Sequence, residues 1–187
     1  MSIYVKYAGR HNEAFWLRQP ISVSLPGALA ARIVRAATTE KGNTMNALGN
    51  GHTLLAPGDG EVLEAGGNHL VIKVATPSQL VAEYTAPSHF DGPPLHVHPG
   101  FDETFLMLEG RLEVTVRDER AELAPGATAY VSGTVPHTFR NPTGERARFL
   151  LICSPGGMEQ YFRGIATGDN ALVATIAQRV GYRVVSD

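Results

Sequence analysis

The chain is poor in cysteine: one thiol, Cys153, among 187 residues. A lone cysteine cannot close an internal disulfide, which excludes a disulfide-stapled secreted scaffold and leads to the expectation of a reducing, cytoplasmic setting. Long apolar runs are missing too. No stretch approaches the ~20 residues of a membrane span, and residues 1–10 lack the apolar centre of a secretory leader. Charge is sparse and nearly balanced, with 16 basic and 18 acidic residues and a net charge of -2. No Lys/Arg stripe is present to follow a phosphate backbone, so no nucleic-acid partner is expected. What the chain does have is turn-formers: 20 glycines and 12 prolines. Hydrophobic residues make up 43%, enough for one domain of this length to bury its own core.

Residues 1–50 read differently from the rest. Tyr4–Trp16 mixes aromatic and charged residues without a period, Ala28–Ala37 has the spacing of a short helix, and Met45 stands just before the strand-rich part. The segment is expected to be an N-terminal extension. It is either an arm that packs on the domain or on a second subunit, or dispensable upstream sequence with Met45 as the start. From residue 51 onward, short β-branched and aromatic runs alternate with Gly/Pro turns. Strands are expected at Leu70–Val74, Leu80–Tyr84, Thr104–Leu108, Leu112–Val116, Thr128–Val131 and Arg148–Ile152. Short, evenly spaced strands without intervening helices give an all-β sandwich or barrel. Two helices follow from about residue 158 to 180. Met158, Tyr161, Phe162 and Ile165 share one face of the first. Leu172, Val173, Ile176, Ala177 and Val180 line the second, with Asp169 or Asn170 as N-cap and Gly181 past its end. They are expected to cover the outside of the barrel.

The chemistry concentrates in Gly92–Gly110. His96 and His98 are two apart, so on a strand both imidazoles point to one face. Pro99-Gly100 turns the chain, and Glu103 opens the next strand, where it can return to that face. His137, in Val135-Pro136-His137-Thr138-Phe139, arrives later. Three imidazoles and one carboxylate suit a divalent transition metal: Fe, Ni, Co, Mn, Cu or Zn. Four ligands leave one or two coordination positions open, as substrate binding requires. By the same parity, Phe105 and Met107 share the face of Glu103 and Phe139 that of His137, which gives a candidate apolar substrate pocket.

The spacing resembles the cupin family. His96-x-His98, four residues, Glu103, six residues and Gly110 match its first motif, although the leading glycine, Gly92, stands closer than usual. Gly126, five residues, Ser132-Gly133-Thr134, two residues, His137, three residues and Asn141 match its second. There Ser132 and Thr134 replace a proline and a glycine, and every metal ligand is kept. The resemblance covers about residues 53–155. It implies a cupin jelly-roll β-barrel, a small-molecule substrate and a homodimer joined by strands or by the N-terminal arm. Single-domain cupins with this ligand set look like dioxygenases of the quercetinase type. The resemblance therefore implies a metal-dependent dioxygenase acting with O2 on a small enolic or aromatic compound, with Glu103 taking the substrate hydroxyl proton as general base. Two alternatives remain open. One is a cupin lyase, isomerase or polyketide cyclase that uses no O2. The other is a non-catalytic small-molecule-binding cupin.

Overall fold

The computed structural model describes residues 51–185. The expected extension, its short helix over residues 28–37 and Met45 lie outside the described residues. The described chain runs β1 (Glu61–Ala65), β2 (Asn68–Ala75), β3 (Leu80–Ala86), β4 (His96–Val97), β5 (Asp102–Glu109), β6 (Leu112–Val116), β7 (Glu119–Leu123), β8 (Thr128–Val131), β9 (His137–Arg140), β10 (Ala147–Ser154), α1 (Glu159–Thr167), α2 (Asn170–Val180) and β11 (Arg183–Val184). All six expected strands fall within these elements.

Two antiparallel sheets form, one of six strands in the order β1-β2-β3-β10-β5-β8 and one of five in the order β11-β4-β9-β6-β7. The long central strands alternate strictly. In β3, Leu80, Ala82, Tyr84 and Ala86 are buried; in β10, Ala147, Phe149, Leu151 and Cys153; in β5, Glu103, Phe105 and Met107. That period of two buries one face of each strand against the opposite sheet. Phe105 of the six-stranded sheet and Phe139 of the five-stranded sheet meet with ring centroids 5.2 Å apart, so the two inner faces share one core. This is the expected all-β jelly-roll. Cys153 is fully buried, and burial first, then the nearby Glu103 charge, push its thiol well above the ordinary range. It is a core residue with no thiolate to offer.

The connection from β5 to β6, which crosses from the six-stranded to the five-stranded sheet, turns at Gly110, where φ is +72° and an added Cβ would stand 2.4 Å from the Arg146 carbonyl oxygen. Only glycine fits there. Asp169 caps α2 by accepting from the Leu172 amide, and Gly181 ends it in the left-handed conformation, both as the sequence indicates. Phe162 of α1 and Ile176 of α2, with the N-cap residue Met158, join the shared core. Phe162 stands edge-on to Tyr84 at 6.4 Å.

Candidate metal centre

His96 and His137 are direct cross-strand partners on β4 and β9, so their side chains leave the same face of the five-stranded sheet. His98, two residues after His96, joins them. Glu103 approaches from the six-stranded sheet, opposite Cys153 on one side and Val131 on the other. All four are buried: His96 5% exposed, His98 1%, His137 0% and Glu103 6%. The three histidines each offer a ring nitrogen within 4.8 Å of the other two. Glu103 Oε2 lies 3.3 Å from His137 Nε2 and 3.7 Å from His98 Nε2. Sequence parity thus brings the four expected residues together, with Glu103 against two of the three imidazoles.

The outer ring nitrogens decide what the inner ones can do. His96 Nδ1 faces the Pro94 carbonyl at 2.8 Å, His98 Nδ1 the Phe101 carbonyl at 3.0 Å, and His137 Nδ1 the Val135 carbonyl at 2.8 Å. A carbonyl only accepts, so each Nδ1 donates, and each neutral ring is left with a bare Nε2 lone pair. Those lone pairs converge: His98 Nε2 and His137 Nε2 are 3.0 Å apart. Three acceptors and a carboxylate then face one another with no donor among them. Such a set is satisfied by a cation, either an extra proton or a metal ion. Carbonyl-anchored imidazoles with Nε2 directed inward are the arrangement in which a ligating histidine is fixed in tautomer and orientation. The donor chemistry therefore fits a divalent transition metal.

Electrostatics agrees. Burial and the neighbouring His137 hold His96 down at about 4, so its nitrogen is free at neutral pH. Burial opposes charge on His98, but the Glu103 carboxylate outweighs it and the pKa is raised. Burial alone would raise Glu103, yet once the metal-free cluster takes up its extra proton, hydrogen bonds from the protonated nitrogens of His137 and His98 bring it down to about 2. Glu103 is an anion throughout the physiological range.

The supporting shell was only partly readable in advance. Gly133 is the residue that makes the second motif work despite Ser132 and Thr134. A Cβ there would meet the Phe101 oxygen at 2.0 Å and the His98 oxygen at 2.3 Å, and its carbonyl accepts the His98 amide at 2.7 Å. Asp102 accepts from the Gly133 amide at 3.0 Å and from the Tyr130 hydroxyl at 2.8 Å. Asn141 takes no part in the cluster. Its amide donates to the Pro87 and Glu145 carbonyls and ties two loops together. Phe105, Met107 and Phe139 lie on the inner faces as parity requires, 0%, 1% and 7% exposed, and form the apolar layer next to the cluster. Tyr130 and Arg148, whose facing the sequence leaves ambiguous, point outward; Arg148 pairs with Glu83 and Glu109.

Sequence reasoning missed the C-terminal strap. β11 pairs with β4, Val184 opposite His96. The Val185 amide donates to the Leu95 carbonyl, and the Gly100 amide to that of Val180. The segment carrying His96 and His98 is clamped at both ends by residues 180–185, and the Tyr182 ring lies 4.9 Å from that of His96. The signal was a two-residue β-branched run after a helix-ending glycine, too short to count as a strand.

Residues 83–153 match the cupin domain family. This segment is a cupin domain. Over 72 residues the chain is 42% identical to quercetin 2,3-dioxygenase of Bacillus subtilis. That match takes in 38% of this chain and 21% of the relative, so the chain spans about a fifth of the length of the enzyme it matches. Among solved structures it is similar to an RmlC-like cupin from Shewanella frigidimarina, with a TM-score of 0.51 at 18% identity over 58% of this chain and 94% of that one. The polyketide cyclase RemF from Streptomyces resistomycificus superposes with a TM-score of 0.49 at 18% identity, over 55% and 79%. The cupin fold and the histidine cluster coincide in one stretch of chain. Among the described residues no helix is long and apolar enough to cross a membrane.

Proposed function

We propose that this cupin domain holds one divalent transition metal between His96, His98, His137 and Glu103, and that it is a dioxygenase acting on a small enolic or aromatic compound. The observation that carries the reading is the convergence of bare Nε2 lone pairs on a buried carboxylate. The 72-residue identity to quercetin 2,3-dioxygenase supports the choice of substrate class. A metal bound there supplies Lewis acidity to a substrate oxygen and a site for O2.

The chain's own residues do the rest. The three imidazoles, locked through Nδ1 to backbone carbonyls, need no reorganisation on binding. Glu103, anionic and buried, accepts the proton of the substrate hydroxyl at its carboxylate oxygen and so favours the enolate that O2 attacks. Phe101, stacked on His98 at 3.8 Å, and the Phe105–Phe139 layer exclude water from the anion so formed. Both atoms of O2 enter the product.

The test is turnover of quercetin by protein reconstituted separately with Fe, Ni, Co, Mn and Cu, followed with an oxygen electrode. The reading expects at least one metal form to consume O2 in proportion to substrate and to stop under anaerobic conditions. Equal turnover with and without O2 would replace it with lyase or isomerase chemistry. No turnover in any metal form would leave a binding module.

A further inference from the structure

β4, which carries His96, has two residues, and a single registered pair, His96 opposite His137, ties it to β9. On its other side β11 supplies two pairs, Arg183 opposite Val97 and Val184 opposite His96. Hydrogen bonds beyond the ladder extend that fastening. The Val185 amide donates to the Leu95 carbonyl at 2.8 Å, and the Gly100 amide to the Val180 carbonyl at 2.9 Å. Gly181 comes so close that an added Cβ would stand 3.2 Å from Pro99 Cδ. A strand this short is not held in place by one neighbour alone, and residues 180–185 provide the second.

The imidazoles differ in what steadies their rings. His98 is stacked on Phe101, three residues further on, with centroids 3.8 Å apart and planes inclined by 2°. His96 has no such local partner. Apart from the other two imidazoles, the ring against it among the described residues is that of Tyr182, 4.9 Å away and inclined by 32°. The end of α2 puts that ring there. Gly181 takes the left-handed conformation, and the Tyr182 amide donates back to the Ala177 carbonyl at 2.8 Å, a glycine stop that fixes the direction in which the chain leaves the helix. The turn that ends α2 thus delivers both the ring beside His96 and the strand beside β4.

We propose that Tyr182 is a positioning residue for the metal centre: its ring holds the His96 imidazole and the strand that follows it holds β4, so that metal affinity depends on residues 180–185. The inference rests on the reading of His96, His98, His137 and Glu103 as the ligands of one ion, and it adds the element that tightens the set. Tyr182 acts through His96 and touches neither ion nor substrate in this role. A ligand ring that is free to swing must be ordered when the ion binds, at a cost in conformational entropy. A neighbour that orders it beforehand removes that cost, and supporting groups of this kind carry about 10–100-fold in metal affinity.

The experiment is titration of the metal-free full-length chain with cobalt(II) and, separately, nickel(II), read as a dissociation constant by chelator competition and as the visible absorption spectrum of the bound ion. The proteins are wild type, Tyr182→Phe, Tyr182→Ala, Val185→Pro and Leu70→Ala. Tyr182→Phe keeps the ring and should match wild type in both readouts. Tyr182→Ala should raise the dissociation constant about tenfold and alter the spectrum. Val185→Pro removes the amide that donates to Leu95 and leaves every ring in place; the constant should rise about fivefold, as for one lost hydrogen bond. Leu70→Ala, fully buried in β2 and three strands from β5, should lower the melting temperature and leave constant and spectrum unchanged. If wild type binds the ions and Tyr182→Ala and Val185→Pro bind them equally well with the same spectrum, the inference falls and the metal-centre reading stands. It falls in the same way if Leu70→Ala weakens binding as much as Tyr182→Ala does, since the effect is then one of general stability. Should Tyr182→Ala fail to fold, Val185→Pro decides. If wild type binds neither ion, the metal-centre reading and the inference fall together.

Discussion

The two sheets of this barrel solve different problems. The six-stranded sheet is built from strands of up to eight residues with regular ladders and strict alternation, and it contributes one member of the cluster, Glu103. The five-stranded sheet contains a two-residue strand and a four-residue strand that carry His96 and His137, with His98 just past the end of the first. There the chain is held less by ladders than by single fastenings: imidazole Nδ1 to carbonyl, Asp102 to the Gly133 amide, Val185 to Leu95. Regular pairing supplies stability, and the irregular rim aims side chains at a point. A long ladder fixes its residues to the sheet normal. Short strands between turns let three imidazoles tilt toward a common centre. The two regions should therefore respond to mutation in different quantities.

Three changes probe this division, in decreasing order of effect. Glu103→Gln keeps the shape and removes the base; turnover should drop about 10²–10⁴-fold, with metal affinity falling far less, as read by steady-state kinetics and competition with a chelator. An equal loss of both would make Glu103 a plain ligand. Phe149→Ala, in the regular sheet and fully buried, should cost about 3–5 kcal/mol in urea unfolding while the surviving folded protein binds metal normally. A change in metal stoichiometry there would blur the comparison.

The third change is pH. In metal-free protein, His96 is held at about 4 against an ordinary 6.5, and Glu103 at about 2 against 4.5. In both cases the unfolded chain binds the extra proton first, so stability falls as pH drops, through 6.5 to 4 for His96 and 4.5 to 2 for Glu103. His98, raised, contributes fully below 6.5 and does not oppose this loss. A loss of about 3 kcal/mol per group is expected, measured by urea unfolding across the pH range. Stability unchanged down to pH 4 would show that His96 is not held neutral by its surroundings.

How much of this was legible follows from the same contrast. Periodicity finds strands whose buried face is apolar, so β2, β3, β5, β6, β8 and β10 stand out in the sequence. β7, Glu119–Leu123, buries only Leu123; a solvated edge strand leaves no alternation to read. Spacing brings His96, His98, Glu103 and His137 to one place because parity is local and the turn at Pro99-Gly100 is written in the chain. Tyr84 of β3 and Tyr182 after α2 join the buried rings from distant parts of the chain, and no local pattern links them across almost a hundred positions. Ser132 and Thr134 depart from the motif, and the glycine between them acts through a close approach of Gly133 to Phe101 and His98 that is visible only in three dimensions. The helices were assigned correctly, but their burial of Phe162 in the core depends on a tertiary choice that the amphipathic pattern leaves free.

The central claim is that three inward-facing imidazoles and one carboxylate hold a single ion. Elemental analysis of the chain reconstituted with each metal and dialysed, beside a His96→Ala/His98→Ala double variant, tests it most directly. One ion per wild-type chain and close to none in a variant that keeps the wild-type circular dichroism spectrum is the predicted result. The same occupancy in both would contradict the assignment.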